Sequence, residues 1–238
     1  MPQKTDLHLH TIDDPMDHHV KHTAEELIDK AARLGFTVLA ITLHNRQYES
    51  ARIQDYAKDR GITLIPGVEQ DIEGAHVLLL NFARETADSI RTFGELRRAR
   101  RPDNLTVAAH PFYPNSTCLK ERLYEHADLF DAVEISGFQH RHWNPNVKAE
   151  IAAAKLGLPM LGNSDTHTLE QFGSIWTEVE CDSLPEGVIE ALKRGLGKIQ
   201  SRTLSAMEMG VITYKVVAKG YMPWVNYKRK RGHVSALN

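Results

Sequence analysis

Thr37-Val38-Leu39-Ala40-Ile41-Thr42-Leu43-His44 is a run of β-branched and apolar residues that ends on a histidine. It begins two residues after Gly35, and upstream of it Thr23-Ala24-Glu25-Glu26 reads as a capping box. In such a box a hydroxyl and a carboxylate satisfy the free backbone amides of a helix start. A helix opened at Thr23, closed by Gly35 and followed at once by a strand is one unit of an alternating α/β chain. The same grammar recurs on both sides. A helix runs to Gly61 before a strand at 63–66, and a helix at 146–156 with Gly157 precedes a strand at 159–162. Residues 5–10 read as the first strand, and 77–82, 107–109 and 132–136 as further strands. A last helix at 184–194 carries a second capping-box pattern at Ser183 and Glu186. About seven strands with helical crossovers suit a (β/α) barrel of about 250 residues, and a doubly wound open sheet shares the pattern. The expectation is one domain, a TIM-like barrel over 1–197, with 198–238 as a C-terminal extension packing on or trailing it.

Charged residues make up 25% of the 238 and the hydrophobic set 42%, so neither a disordered nor a fibrous class is suggested. The net charge of −2 argues against non-specific nucleic-acid binding by the body of the chain, although Lys228-Arg229-Lys230-Arg231 is basic. Tyr214, Tyr221, Trp224 and Tyr227 precede that run, a combination that can stack bases and meet phosphates, or simply form a solvated tail. Cys118 and Cys181 have no disulfide or zinc-knuckle spacing. The start of the chain carries no targeting pattern and no apolar run approaches a membrane span, so a cytoplasmic protein without membrane contact is expected.

Thirteen histidines are far above ordinary usage, and they fall at particular junctions. His8 and His10 are separated by one residue on a strand, so both point to one face and can share a metal. His44, Glu69, His110, Asp165 and His167 each follow an apolar strand-like run. In a barrel, the C-terminal strand ends form one mouth, where active sites are built. Imidazole and carboxylate ligands without sulfur suit zinc, manganese or iron, and a carboxylate such as Glu69 can bridge two ions. Such a site can clamp a phosphate and make a bound water acidic, which points to phosphate ester hydrolysis.

Asp6-Leu7-His8-Leu9-His10-Thr11, Ala40-Ile41-Thr42-Leu43-His44, Gly67-Val68-Glu69, His76-Val77-Leu78, Ala109-His110-Pro111 and Asn163-Ser164-Asp165-Thr166-His167 resemble, in order, the motifs of the PHP (polymerase and histidinol phosphatase) superfamily. The resemblance implies a distorted seven-stranded barrel with a trinuclear site of divalent metals (Mn, Zn or Fe). By that resemblance His8, His10, Glu69 and Asp165 hold one ion, and Glu69, His76 and His110 a second. His44 and His167 hold the third together with an acidic loop residue, for which Asp14, Asp17, His18 and His19 compete and Asp17 is chosen. Glu69, His110 and Asp165 are the candidate catalytic residues. Members often carry an Asp before the second-motif histidine; here Leu43 stands there.

Arg46 and Arg141, near the proposed mouth, are the candidate phosphate-binding residues, since a guanidinium pairs well with phosphate oxygens. His18, His19, His22, His126 and His233 read as surface residues. The leading function is hydrolysis of a small phosphomonoester at a site of two or three metals. A nuclease or oligonucleotide phosphodiesterase on the same metals is the second reading, and a non-catalytic metal-binding module the third.

Overall fold

The computed structural model describes residues 2–140 and 142–215. Among these residues ten strands form: β1 (Gln3–Leu9), β2 (Val38–Ile41), β3 (Thr63–Leu64), β4 (Gly67–Ile72), β5 (Ala75–Leu80), β6 (Leu105–Ala108), β7 (Ala132–Ser136), β8 (Met160–Asn163), β9 (Ile175–Val179) and β10 (Lys198–Ser201). The helices are α1 (Ala24–Arg33), α2 (Ala51–Lys58), α3 (Arg84–Ala87), α4 (Phe93–Ala99), α5 (Arg122–Glu125), α6 (Asn146–Leu156), α7 (Pro185–Lys193) and α8 (Ala206–Thr213). The Thr23 capping box forms as read, Thr23 accepting from the Glu26 amide and Glu26 accepting from the Thr23 amide. The second does not. Pro185 occupies the first turn of α7, and Asp182 accepts from the Leu184 amide just ahead of it.

The strands lie in two five-stranded sheets, ordered β10-β9-β1-β2-β3 and β4-β5-β6-β7-β8. The closed barrel expected from the crossover pattern is therefore not formed as a continuous ladder. The sheets meet instead at isolated bridges, Leu9 with Thr166 and His44 with Glu69. The sheets are also not all parallel: β4-β5, β5-β6, β1-β9 and β9-β10 are antiparallel. The pairing β4-β5 is a hairpin through Glu73 and Gly74, both at positive φ, a tight turn that a strand-helix reading does not contain. Position 198, taken as the start of an extension, is the first residue of β10, which pairs along β9.

One apolar core lies between the sheets, joining Leu7, Val38 and Ala40 to Leu78, Leu80, Val107 and Leu161, with Val188, Ile189 and Leu192 of α7 packed into the same cluster. Others bury the α1 and α2 faces against β2 and the α4 and α6 faces against the second sheet. Gly67 is required at the inner seam: a Cβ there would lie 2.8 Å from Leu80 Cδ2 and 2.9 Å from Thr42 Cγ2. On β1, Leu7 joins the inner core while Leu9 packs in the α1 cluster, and the register against β2 shifts between Asp6 and Leu9. No helix among the described residues is long and apolar enough to cross a membrane.

Candidate metal centre

His8 and His10 are fully buried, and each is fixed by a carboxylate behind it. A carboxylate can only accept, so the ring nitrogen facing it carries the proton: His8 Nδ1 donates to Glu134 Oε1 at 2.9 Å, and His10 Nδ1 donates to Asp14 Oδ2 at 2.9 Å. That leaves the two Nε2 atoms facing each other at 3.2 Å. Glu69 Oε2 lies 3.3 and 3.4 Å from them, and Asp165 Oδ1 3.4 and 3.5 Å. Four ligand-type atoms at these separations match the edges of a coordination tetrahedron, about 3.3–3.4 Å for bonds of about 2.0–2.1 Å. Asp165 Oδ1 is buried without a hydrogen-bond partner. An orphaned carboxylate oxygen among imidazole nitrogens whose opposite faces are pinned suits a divalent cation.

Glu69 is the hub. It lies inside β4 rather than past a strand end, and the hairpin brings β5 back alongside it. Its Oε1 is 2.7 Å from His76 Nδ1 and 3.1 Å from His110 Nε2. Its Oε2 faces His44 Nε2 at 3.0 Å as well as His8 and His10. The two oxygens thus serve two separate sets of imidazoles.

On the far side, His167 Nε2 meets Asp17 Oδ2 at 2.8 Å, and Asp17 Oδ2 is 3.5 Å from His44 Nδ1. Asp14, its rival, also ties the loop together: Oδ2 accepts from His10 Nδ1, His44 Nδ1 and the His44 amide, and Oδ1 from the Met16 and Asp17 amides. Asp14 therefore supplies to His44 the carboxylate that Leu43 lacks. Among the described residues, groups able to hold a metal include His8, His10 and Glu69; His10, Asp165 and His167; and His10, Asp14, Asp17 and His44.

Burial alone would raise Glu69, but His76, His44 and His8 hold its carboxyl well below the usual range. Asp165 and Asp17 are lowered likewise, against burial, by the histidines facing them. Burial would lower His8, His44 and His110, yet the neighbouring carboxylates, and for His110 also the Cys118 thiol, carry all three well above the ordinary imidazole value. Asp165 and Asp17 likewise raise His167 to about 9. Protons thus hold the cluster together in the places that cations can take. His110 and Asp165 also sit at φ of +26° and +51°, left-handed backbone that costs side-chain-bearing residues on the order of 1–3 kcal/mol and clusters at functional sites.

Part of the cluster, including His44, Glu69, His76, His110, Asp165 and His167, lines a cavity of about 600 Å³. Arg46 does not line it; the side chain is exposed and donates to the Asp13 carbonyl. Arg141 and the basic run at 228–231 lie outside the described residues, as does His233. Two histidines read as surface residues are not: His19 lines the cavity, stacked on His167 at 5.4 Å, and His22 is buried, donating to the His10 carbonyl at 2.8 Å. Burial pushes His22 down to about 4. The sequence reading also missed Glu134. It sits in the middle of the wholly buried β7, holds His8, and accepts from Asn163 Nδ2 and the His110 amide at 2.9 and 2.7 Å. A carboxylate interrupting an otherwise buried strand is the signal that marks it. Cys118 Sγ lies behind His110, 3.5 Å from Nδ1.

Among the solved structures that share the fold are these three. A Pseudomonas syringae protein, PsfC, aligns at TM-score 0.63 and 17% identity over 91% of this chain and 97% of its own. A "putative metal-dependent phosphoesterase" from Bifidobacterium adolescentis aligns at 0.55 and 17%, over 71% and 90%. An amidohydrolase from Chromobacterium violaceum, with bound sulfate and no metal, aligns at 0.52 and 20%, over 68% and 87%. A search of curated proteins finds no match. The family model described as PHP-associated matches residues 143–196. The PHP domain model matches residues 6–127, just over half of the chain, and the chain belongs to the PHP domain family.

Proposed function

We propose that the chain is a metal-dependent phosphomonoesterase using two or three divalent cations. The observation that carries this reading is the division of Glu69, with Oε1 toward His76 and His110 and Oε2 toward His8, His10 and His44. A buried carboxylate shared in that way suits a bridge between neighbouring ions. His8, His10, Glu69 and Asp165 would hold one ion, His76 and His110 with Glu69 a second, and His44, His167 and Asp17 a third. When bound, such ions polarise a phosphoryl oxygen and make water acidic near neutral pH.

The protein's own contribution is positioning. Glu134 and Asp14 hold the Nδ1 protons of His8 and His10, so that both Nε2 atoms face inward, where a cation would displace any proton they carry. Glu69 and Asp165 would offset the charge of the assembled cations, and among the described residues neither lysine nor arginine lines the cavity. Among the described residues, a phosphate would therefore find its positive partners chiefly in the metals. Manganese, zinc and iron suit the mixed imidazole and carboxylate set.

The test is hydrolysis by chelator-treated and metal-reconstituted protein of 4-nitrophenyl phosphate, bis(4-nitrophenyl) phosphate and a 5′-labelled oligonucleotide. Metal-dependent turnover of the monoester, well above the other two, is expected. Preference for the diester or the oligonucleotide would replace this reading with the phosphodiesterase one. No turnover of any ester by metal-loaded protein would remove it.

A further inference from the structure

We propose that the cavity selects phosphate esters whose leaving group carries a flat aromatic ring, received by Tyr113, Phe138 and Trp143; this rests on the phosphoesterase reading above. Beside the metal cluster the cavity lining includes these three rings with Pro114, and Ile212 of α8. The Tyr113 ring is 6.0 Å from that of His110, and Trp143 stands edge-on to Tyr113 at 5.8 Å and 89°. Phe138 meets Trp143 at 5.8 Å and 77°. The wall thus begins about one ring width from a metal-facing histidine, the distance at which the group attached to a bound phosphate would lie.

Several of the polar atoms around that wall are already engaged. The Tyr113 hydroxyl donates to the Phe138 carbonyl at 2.8 Å, so Tyr113 offers its ring rather than its oxygen. Asn115 Oδ1 accepts from the Thr117 amide and hydroxyl, both at 2.8 Å. Gln171 Nε2 donates to the Ser164 and Asp165 carbonyls, and its Oε1 accepts from the His167 amide. A sugar or polyol leaving group would find few free partners here. A second phosphate or a carboxylate would meet no lysine or arginine among the described lining residues, and would face the carboxylates Asp17, Glu69 and Asp165. A neutral ring suits this wall: it covers exposed aromatic surface, of which Trp143 leaves 40% open, and asks for no hydrogen bond. In the reaction, water oxygen bonds to phosphorus and the bond from phosphorus to the ring-bearing oxygen breaks with its electron pair. That oxygen takes up a proton, giving inorganic phosphate and a ring-bearing alcohol or phenol.

The experiment is calorimetric titration of manganese-reconstituted protein with phenylphosphonate and methylphosphonate, for the wild type, Phe138→Leu and Trp143→Ala. Phenylphosphonate should bind about tenfold more tightly, the scale of one aromatic contact plus partial ring burial. Each substitution should shrink that preference at least threefold, and methylphosphonate affinity should stay within twofold, which also reports that the site is intact. Equal affinities in the wild type, or a preference that survives both substitutions, overturns the aromatic subsite and leaves the phosphoesterase reading standing. Failure of both phosphonates to bind metal-loaded protein removes the two together.

Discussion

Replacing Glu134 with Gln changes one atom at the back of the centre and should be felt at its front. Glu134 is fully buried and accepts three hydrogen bonds, from His8 Nδ1, Asn163 Nδ2 and the His110 amide. Every partner is a donor. A glutamine retains one acceptor oxygen, so its NH2 must face either the His8 and Asn163 side or the His110 amide, and a buried donor is left against a donor at about 1–3 kcal/mol. His8 can relieve the clash only by giving up the proton on Nδ1, which moves it to Nε2, the atom 3.2 Å from His10 Nε2 and 3.3 Å from Glu69. That closes one ligand position. The expected result is a loss of metal affinity of about 10–100-fold, the usual scale for groups that orient a ligand histidine. Competition with a chromophoric chelator measures it, and near-ultraviolet circular dichroism checks that the apoprotein is folded. A folded Glu134→Gln protein binding metal within threefold of wild type would show that the His8 tautomer does not depend on this carboxylate.

Glu69→Gln removes the charge shared by two sets of imidazoles, and should fold, lose metal content and lower phosphoesterase turnover by about two orders of magnitude or more; elemental analysis and steady-state kinetics read both, and full metal content with wild-type turnover would refute the bridging role. Because His8, His44 and His110 are held well above the ordinary imidazole value without metal, cations must displace protons there. Metal affinity should therefore rise as pH rises, and calorimetry in buffers of different ionisation enthalpy should show net proton release; binding without release contradicts the displacement. Gly67→Ala sets a methyl against Leu80, Thr42 and, at 3.3 Å, Ala40 Cβ, and should cost about 1–3 kcal/mol in urea unfolding. An unchanged midpoint would mean that the seam can spread.

Much of the centre was legible because histidine and carboxylate are rare after apolar strands, and their spacing survives without knowledge of how strands pair. His44, His110, Asp165 and His167 were found in that way, and His8 and His10 by alternation. The pairing itself was not legible. Val68 to Ile72 and Ile175 to Val179 are interrupted by Glu69-Gln70-Asp71 and Thr177-Glu178, and it is the hairpin at Glu73-Gly74 and the antiparallel return of β9 along β1 that pair them as strands. Asp14 and Asp17 could not be told apart from a loop sequence, because which oxygens face the His10 and His44 rings depends on how the loop folds back. The aromatic wall escaped for a like reason: Tyr113, Phe138 and Trp143 lie in three stretches with no shared period and meet only in space.

The way the two sheets divide the chain sets an order of assembly. The sheet β4-β5-β6-β7-β8 is drawn from one continuous stretch, 67–163, and can pair within itself as soon as that stretch exists. The other sheet needs both ends, since β1 sits between β2 and β9, and β10 closes its edge. A chain emerging from a ribosome would thus carry Glu69, His76 and His110 on a nearly finished scaffold while His8 and His10 wait beside a strand whose partner has yet to be made. The bridges from Leu9 to Thr166 and from His44 to Glu69 tie the halves at the centre itself. A cation arriving early would meet half a binding site, and one arriving late would act as the clasp between an old half and a new one.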